Sequence, residues 1–307
     1  MASTPDISVA IILVNWNGLD YTKACLESLS KINFSDYKVI LVDNASENEE
    51  GQHLKTSFPE IELIQNSKNL GFAGGNNVGI RWALEHGFSH VCLLNNDTQV
   101  EPDFLEEMVL KFRLGKSTGI VQPMILFLHQ PKEIWSAGGK WLSNLGRAIT
   151  LGDREPLVNY RVKSTNLDWA TGCCMLVSRE AILKSGLLNE QFFLYFEDVE
   201  WSLRIRSHGF GIELAPKSIL YHEAGAASKK SHSEGVLSPK VFYYHVRNQF
   251  LLIRQQKAPL GYLYHLGRFL LWMFYFLGRG RFQKLKAVEK GIRDGLREKL
   301  QSHPIWP

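Results

Sequence analysis

The chain has 307 residues, 45% of them hydrophobic and 21% charged, and a formal net charge of +4. This length and composition exclude a disordered chain and indicate a globular protein with a full core, long enough for one large α/β domain and an appendage. The positive charge is a local property, because residues 279–299 hold eight Lys or Arg and three acids, which leaves the rest of the chain at −1. We expect no nucleic-acid partner.

The cysteines Cys25, Cys92, Cys173 and Cys174 lack the spacing of a zinc site. Two of them are adjacent and would point to opposite faces of a strand, so we expect buried, reduced thiols in a cytoplasmic protein. The first residues lack the basic and apolar pattern of a signal peptide. The longest apolar run, residues 269–277, is far shorter than the roughly 20 residues that cross a bilayer.

Apolar runs at residues 8–14, 38–42, 61–65 and 90–94 predict short strands, and the segments between them show helical spacing, as at Leu26, Leu29 and Ile32. Strands that alternate with helices predict an α/β fold with a mostly parallel sheet covered by helices. A further helix is predicted from Glu101, with Pro102 in its first turn.

Residues 119–160 show an irregular pattern. Regular patterns return at residues 167–177, in a helix near Arg179, at residues 197–207 and in a strand at 212–214, and the chain from residue 239 is helical, aromatic and basic. We therefore expect one domain over residues 1–238, with halves of about 1–118 and 119–238, followed by a helical extension over 239–307.

Polar residues follow the predicted strands where the carboxyl ends of parallel strands would meet. A carboxylate at such an edge is a hard ligand for a metal-bound diphosphate, and an acid there can accept from a base or ribose. Alternatively, the polar pair after the second strand caps the next helix. These strand-end residues are Asn15 and Asn17, Asp43 and Asn44, and Asn95, Asn96 and Asp97.

A glycine-rich segment at residues 69–77, which includes Gly71 and Asn76, predicts a turn that leads into a helix. Backbone amides could approach a ligand closely there. The segment is neither a Walker loop nor a dinucleotide fingerprint, and glycines before a helix are common, so it is a weak signal alone.

Several motifs occur in the order found in inverting family 2 glycosyltransferases. The chain resembles the bacterial rhamnosyltransferase-like branch of that family over about residues 8–250. The motifs are Val-Asn-Trp-Asn-Gly, Val-Asp-Asn-Ala-Ser, Asn-Leu-Gly-Phe-Ala-Gly-Gly-Asn-Asn, Leu-Asn-Asn-Asp, Trp-Ala-Thr-Gly, Phe-Glu-Asp-Val-Glu-Trp and Tyr-His-Glu-Ala-Gly.

The resemblance implies a GT-A fold in which residues 1–118 bind a nucleoside diphosphate-sugar donor, such as dTDP-rhamnose, with Mg²⁺ or Mn²⁺. It assigns Asn15 and Asp43 to the nucleoside, Asp97 to the metal and diphosphate, and His222 to the same metal. The other strand-end and glycine-rich residues named above would complete the donor site. Where the family often has two aspartates, this chain has Asn95 and Asp97, so its metal site has fewer carboxylates. By itself, His222 could equally be a core or surface histidine.

The resemblance also assigns residues 119–238 to the acceptor and to catalysis, with Asp198 as the base that activates a hydroxyl of a glycan or lipid-linked glycan in cell-surface polysaccharide synthesis. Aromatic residues around Glu197 and Asp198 would desolvate them and raise the pKa of a base, although acids in the first turn of a helix are also favoured by its dipole. Trp169, Thr171, Gly172 and Glu197 would lie near the sugar and acceptor. Alternatively, Trp169 belongs to the core.

Apolar residues recur at helical spacing before the basic segment 279–299, as in a helix that lies on an anionic membrane surface. Alternatively, this helix docks on the catalytic domain. Two other classes remain: a sugar-nucleotide-binding or scaffold protein without turnover, and a nucleotidyltransferase, which would need a basic glycine-rich loop where this chain has Asn-Trp-Asn-Gly. The apolar residues at helical spacing before the basic segment are Leu266, Phe269, Leu270, Met273, Phe274 and Leu277.

Overall fold

The computed structural model describes residues 7–115, 117–223, 234 and 236–306. Its first half alternates strands and helices, and the strands predicted at the four apolar runs are confirmed. The helix predicted at Pro102 begins two residues later, after Asp103. The elements are β1 (Val9–Asn15), α1 (Leu19–Leu29), β2 (Tyr37–Asp43), α2 (Glu50–Ser57), β3 (Glu62–Gln65), α3 (Gly71–Glu85), β4 (His90–Asn95), β5 (Thr98–Val100) and α4 (Phe104–Leu114).

The second half also contains regular structure in the region that the sequence predicted to be irregular. That prediction was wrong for residues 119–150, which hold four strands, whereas the predicted regular run at 167–177 forms a strand only from Cys174. The elements are β6 (Thr118–Phe127), β7 (Gln130–Ser136), β8 (Gly139–Leu142), β9 (Arg147–Thr150), β10 (Cys174–Ser178), α5 (Arg179–Ser185), α6 (Glu197–Ser207) and β11 (Gly211–His222).

Strand β6 was missed for a physical reason. Nine of its ten residues are buried, so it lacks the polar alternation of a half-exposed strand, and it contains Pro123. Its neighbour β11 bulges opposite this proline, since Ala215 pairs with Pro123 and Ile219 pairs with Met124. The bulge accommodates a residue that cannot donate to the ladder.

The main sheet has the strand order β3-β2-β1-β4-β10-β6-β11-β5, with β7 beside β6. The first four strands are parallel, as predicted, while β10 runs antiparallel to both of its neighbours, so the whole sheet is mixed. Asn15 pairs with Asp43, and Val14 pairs with Asn95. The carboxyl ends of β1, β2 and β4 therefore meet at one edge.

Apolar clusters cover both faces of the sheet, as the alternation along β1 illustrates: Ile12 points into one cluster and Ile11 and Leu13 into the other. The glycine-rich segment is not a loop before α3 but its first turns. A Cβ at Gly79 would lie 2.6 Å from Ile12 Cγ2, so glycine lets the helix pack closely on β1. All four cysteines are buried and free, as predicted.

Three helices follow the sheet: α7 (Pro239–Gln255), α8 (Pro259–Gly278) and α9 (Phe282–Arg297). They share an apolar cluster that includes Phe250, Phe269 and Val288. Residues 299–306 then return to the sheet domain, where the Leu187 amide donates to the Pro304 carbonyl at 2.8 Å. No helix in the described ranges combines the length and apolar character that spanning a bilayer requires.

Candidate functional site

The meeting point of β1 and β2 is organised by Asn15, which is fully buried. Its side-chain amide donates to Asp43 Oδ1 at 3.1 Å, Ser46 Oγ at 3.0 Å and Glu50 Oε2 at 2.9 Å, while its oxygen accepts from Thr22 Oγ1 at 2.7 Å. Sequence reasoning missed Thr22, Ser46 and Glu50, because their roles depend on contacts between separate elements. The network fixes the orientation of the Asp43 carboxylate.

Asn17 and Asn96 lie beside this network. Asn17 adopts a positive φ of 50°, and its side-chain oxygen accepts from the Glu47 amide at 2.8 Å. The amide of Asn96 donates to Thr22 Oγ1 at 2.7 Å. Both residues therefore lie at the predicted edge and stabilise the loops that follow β1 and β4.

Asn44 does not cap a helix, since α2 begins only at Glu50 and no side chain caps it. Instead, its side-chain oxygen accepts from the Leu70 amide at 3.0 Å and its nitrogen donates to the Gly71 carbonyl at 3.1 Å. Asn44 thus holds the start of α3 against β2.

Asn76 is buried, and its side-chain amide donates to the Phe72 carbonyl one turn earlier at 2.9 Å. This side chain therefore forms its hydrogen bond within the helix.

Asp97 and His222 come together because β5 pairs with β11, with Thr98 opposite His222. Asp97 Oδ1 lies 3.1 Å from His222 Nε2, and both side chains are at most 10% exposed. The contact lacks hydrogen-bond alignment, and His222 Nδ1 has no hydrogen-bond partner among the described residues. Trp135 packs edge-on against the imidazole, with ring centroids 4.5 Å apart.

This pair fits a divalent cation. Ligands at roughly 2.1 Å from a cation in neighbouring octahedral positions are about 3 Å apart, as these two atoms are. No group of three or more His, Cys, Asp or Glu side chains suited to a metal occurs within the described ranges. The remaining ligands would have to be substrate oxygens, water or other protein groups. Asn95 lies beside this pair and stabilises the turn before β5, since its backbone carbonyl accepts a hydrogen bond from Thr98 Oγ1 at 2.7 Å.

Asp198 lies in the first turn of α6 beside the segment that precedes β10. Its Oδ2 accepts from the Gly172 amide at 2.9 Å and its Oδ1 from the Val199 amide at 2.7 Å. Burial raises the pKa of this carboxyl, and the hydrogen bonds from Gly172, Val199 and Thr171 partly offset that rise. Asp198 is therefore oriented by the backbone and kept basic by its surroundings.

Glu197 is more deeply buried than Asp198, and its Oε2 has no hydrogen-bond partner among the described residues. Burial raises its pKa well above the ordinary value, and the neighbouring Asp198 charge raises it further. Two adjacent carboxyls thus sit in different environments. Asp198 is anchored by two backbone amides, whereas Glu197 has one oxygen without a hydrogen-bond partner among the described residues.

The loop before α6 is strained, because Phe193, Tyr195 and Phe196 all have positive φ angles between 59° and 71°. Asn248 on α7 holds this loop by donating to the carbonyls of Phe192, Leu194 and Tyr195 at 2.7 to 2.9 Å. Sequence reasoning missed Asn248. No sequence signal singled it out, because Asn248 stands between the polar residues Arg247 and Gln249, and its contacts depend on the docking of α7 on the loop.

Trp169 is a packing residue and not an exposed platform for a sugar. It is 7% exposed, its indole N–H donates to the Lys140 carbonyl at 3.1 Å, and it packs with Phe192 and Val199. Its face and its polar atom are both used internally, as in the alternative of a core tryptophan, and its place near the sugar and acceptor stays a prediction. It supports the base of the loop that leads to Asp198.

The two parts of the site are joined through Cys173. Its carbonyl accepts from the Asn95 amide at 2.8 Å, and the preceding Gly172 holds Asp198. Burial raises the pKa of the Cys173 thiol, and the charges of both Asp97 and Asp198 raise it further. Asp97 and Asp198 therefore flank the same short segment.

A cavity of about 640 Å³ lies elsewhere, lined by residues such as Ser89, Phe112 and Arg179, and includes none of the predicted site residues.

Comparisons with known proteins identify the family of the chain. A family model described as "Glycosyltransferase like family 2" matches residues 5–236. The low-salt glycan biosynthesis hexosyltransferase Agl10 of Haloferax volcanii is 29% identical over 209 residues, which are 66% of this chain and 63% of that relative. The chain thus spans less than two thirds of Agl10.

Two other relatives carry the name of a rhamnosyltransferase. The dTDP-rhamnosyl transferase RfbF of Shigella flexneri is 27% identical over 227 residues, covering 72% of each chain. The N-acetylglucosaminyl-diphospho-decaprenol L-rhamnosyltransferase of Mycobacterium tuberculosis is 23% identical over 311 residues, covering 91% of this chain and 97% of that relative.

Solved structures share the GT-A fold. TarS of S. aureus in complex with UDP-GlcNAc aligns with a TM-score of 0.59 at 16% identity, covering 94% of this chain and 81% of that one. The mannosyltransferase PcManGT of Pyrobaculum calidifontis, in complex with GDP-Man and Mn2+, aligns with a TM-score of 0.54 at 12% identity, covering 97% and 80%.

Proposed function

Since the chain belongs to glycosyltransferase family 2, we propose that it transfers a sugar from a nucleoside diphosphate-sugar to an acceptor hydroxyl with inversion at the anomeric carbon. One observation carries the proposal: the Asp97–His222 pair and the amide-anchored Asp198 flank the same segment, Gly172–Cys173. A leaving-group site and a base must lie close together, because direct displacement joins attack and departure in one step.

The donor nucleotide binds at the carboxyl edge of β1, β2 and β4. Asp43, held by Asn15, accepts hydrogen bonds from the base or ribose. Asn17, Asn44, Gly71, Asn76, Asn95 and Asn96 belong to the same side of the site and act mainly by fixing the loops around the nucleotide.

Asp97 and His222 hold a Mg²⁺ or Mn²⁺ ion, which when bound neutralises the charge that develops on the diphosphate. The separation of 3.1 Å between Asp97 Oδ1 and His222 Nε2 supports this assignment, as does the lack of a hydrogen-bond partner for His222 Nε2 among the described residues. With only one carboxylate in the pair, Asp97 and His222 would hold the ion through two protein groups and would leave room for donor oxygens.

Asp198 acts as the base. As the acceptor oxygen bonds to the anomeric carbon, its proton passes to a carboxylate oxygen of Asp198, and the bond from that carbon to the diphosphate oxygen breaks. Burial favours this role, because it raises the pKa of Asp198 above that of an exposed aspartate. Thr171, Gly172 and Glu197 line the acceptor side, with Gly172 keeping the carboxylate aimed.

The donor sugar is rhamnose carried by dTDP, and the acceptor is a lipid-linked glycan. The names of two relatives support these assignments: a dTDP-rhamnosyl transferase, and a rhamnosyltransferase that acts on a diphospho-decaprenol acceptor and aligns with 91% of this chain. The second alignment reaches into α7–α9, which supports a role for these helices in acceptor binding in cell-surface polysaccharide synthesis.

Helix α8 brings the enzyme to the inner surface of the cytoplasmic membrane. Part of its predicted apolar face is used internally, since Phe269 is fully buried, but Leu263, Leu271 and Phe274 are each about 70% exposed. The basic segment 279–299 follows directly. Exposed apolar side chains beside clustered cations are typical of a helix that lies on an anionic bilayer.

The test is the release of nucleoside diphosphate from dTDP-rhamnose, with and without a polyprenyl-diphosphate-linked glycan acceptor. We expect release that depends on the acceptor and a product with the opposite anomeric configuration, detected by NMR. Donor binding without turnover would instead indicate a non-catalytic binding protein. Formation of a sugar nucleotide from a nucleoside triphosphate and a sugar 1-phosphate, with release of diphosphate, would indicate a nucleotidyltransferase.

A further inference from the structure

A basic cluster lies between the loop before α6 and helix α8. It consists of Arg147 on β9, His245 on α7, and His265 and Arg268 on α8. Three separate elements thus contribute cationic or proton-donating side chains to one place.

The cluster is compact and walled by aromatic rings. Arg268 Nη2 lies 3.5 Å from His245 Nε2, and the Arg268 guanidinium lies 4.7 Å from the centroid of Phe269. The Arg147 guanidinium lies 5.8 Å from the centroid of Tyr264. Aromatic faces stabilise guanidinium groups, but they cannot neutralise the charge.

The positive charge of the cluster lacks a counterion. Across the part of the chain that the structure describes, no carboxylate forms an ion pair with Arg147 or Arg268. Among the described residues, the buried Arg268 Nε atom and the two ring nitrogens of the fully buried His265 have no well-aligned hydrogen-bond partner. The carbonyls of Leu145 and Gly146 lie near the His265 ring and partly offset the fall of its pKa.

The histidines respond to this environment. Burial, followed by the charges of Arg268 and His265, lowers the pKa of His245 to about 3, and burial followed by Arg268 lowers that of His265 to about 4. Both rings are therefore neutral at pH 7 and can each donate one N–H. Buried donors without acceptors are costly, and a bound anion would satisfy them.

The position of the cluster connects it with the reaction. The His245 ring contacts Phe196, with centroids 5.0 Å apart, and Phe196 immediately precedes Glu197 and Asp198. On its other side, His245 contacts Trp272 of α8, with centroids 5.6 Å apart. The cluster thus lies between the proposed base and the helix with the exposed apolar residues.

We propose that the basic cluster binds the diphosphate of a lipid-linked acceptor, an inference that rests on the function proposed above. Two guanidinium groups suit a diphosphate, because each can donate two parallel hydrogen bonds to phosphate oxygens. The sugar end of the acceptor then faces Asp198, and the lipid leaves along α8. This site is separate from the Asp97–His222 pair, which receives the diphosphate of the donor.

The experiment measures binding of farnesyl diphosphate by calorimetry, with the donor site filled by dTDP and Mg²⁺. Arg268→Gln and Arg147→Gln should each weaken binding about tenfold or more, since each removes a charged contact. Arg113→Gln, an exposed arginine on α4, is the matched control and should leave the affinity unchanged. Gln keeps a polar group beside His245, and a cooperative thermal transition of each variant verifies that it is folded.

Three further measurements distinguish the sources of binding. Inorganic diphosphate should bind the cluster more weakly than farnesyl diphosphate, and farnesol should bind without sensitivity to Arg268→Gln. Equal affinity of inorganic and farnesyl diphosphate would overturn the lipid-linked assignment, and equal affinity of wild type and both Arg variants for farnesyl diphosphate would overturn the site. The affinity for dTDP should not change in either variant, so failure here is separable from failure of the proposed transfer.

Discussion

The two sides of the site satisfy their polar groups differently. At the ends of β1 and β2, Asn15 and Asn44 use both their oxygen and their nitrogen in hydrogen bonds within the protein. On the side formed by α6–α8, buried polar atoms of Glu197, His265 and Arg268 lack partners among the described residues. The first side is complete before any ligand binds, and the second has capacity that a ligand can fill.

Through this difference, a single site combines rigidity on one side with recognition on the other. The complete network fixes a shape, and a ligand there mainly gains from contacts that need no rearrangement. The incomplete side stores unfavourable free energy in strained backbone and buried polar atoms, which contacts with a substrate can relieve.

The largest loss is expected at Asp97, where the two sides meet. Asp97→Ala should lower transfer by on the order of 10³-fold or more, because the loss of a metal ligand removes several kcal/mol of charge stabilisation. Donor affinity should fall as well, and a chelator should abolish transfer by the wild type. Full activity of the metal-stripped enzyme in chelator would contradict the assignment.

Asp198→Asn should lower turnover by on the order of 10² to 10⁴ with donor affinity retained, since the amide keeps the size but lacks basicity. Single-turnover transfer and calorimetric donor binding measure the two quantities. Glu197→Gln is the adjacent control and should lose less activity. A nearly normal rate for Asp198→Asn together with an inactive Glu197→Gln would show that the base is the other carboxylate.

Asn248→Ala should destabilise the fold by about 2–3 kcal/mol, because the carbonyls of Phe192, Leu194 and Tyr195 lose their shared donor. Turnover should fall more than donor affinity, since the loop that carries Asp198 relaxes. Denaturant unfolding and steady-state kinetics provide the measurements. Gln249→Ala removes a neighbouring amide that donates only to the Gly146 carbonyl, and it should have a smaller effect on turnover. Equal effects of the two variants on turnover would argue against a specific role for Asn248.

Glu197→Gln should stabilise the protein at neutral pH by about 1–3 kcal/mol, because the amide has no charge to bury beside Asp198. Burial raises the pKa of Glu197 above its ordinary value of 4.5 in the folded state, so its contribution to stability is present below that value and is lost as pH rises. The advantage of the variant should therefore grow with pH above 4.5, as measured by thermal unfolding. An advantage that shrinks as pH rises would contradict the burial of an unpaired carboxyl.

The smallest effect concerns the membrane. Wild-type protein should bind anionic vesicles reversibly and less tightly as salt increases, because cations in the basic segment contribute about 1 kcal/mol each near such a surface. Phe274→Glu should weaken vesicle binding in a flotation assay. Leu114→Glu, at a similarly exposed leucine on α4, should not. Unchanged behaviour of the wild type on adding vesicles at low salt would reject the proposal.

The sequence could predict the side built from β1, β2 and β4, because each of these strands is a buried apolar run that ends in a polar residue. The local pattern predicts both strand ends, and the parallel pairing of β1 with β2 then places Asn15 beside Asp43. The other side depends on pairings between distant segments, such as β5 with β11 and Asn248 with the loop at Phe192. In β6, Pro123 is a residue that normally argues against a buried strand, so the local sequence pattern did not predict this strand. The resemblance to a family pointed to Asp198 and His222, whereas Asn248 and the basic cluster required the folded arrangement.

The return of residues 299–306 to the sheet domain has a consequence for how an acceptor enters. The Pro304 carbonyl accepts from the Leu187 amide, and the Gln191 side chain donates to the Lys299 carbonyl at 2.8 Å, so the chain is fastened beyond α9 as well as at Asn248 of α7. Helices α7–α9 therefore cannot move away from the sheet domain as a unit without breaking both attachments. For the acceptor proposed above, this means binding to helices that stay docked. Removing residues 299–306 should let these helices move, with faster exchange of large acceptors and poorer discrimination among them.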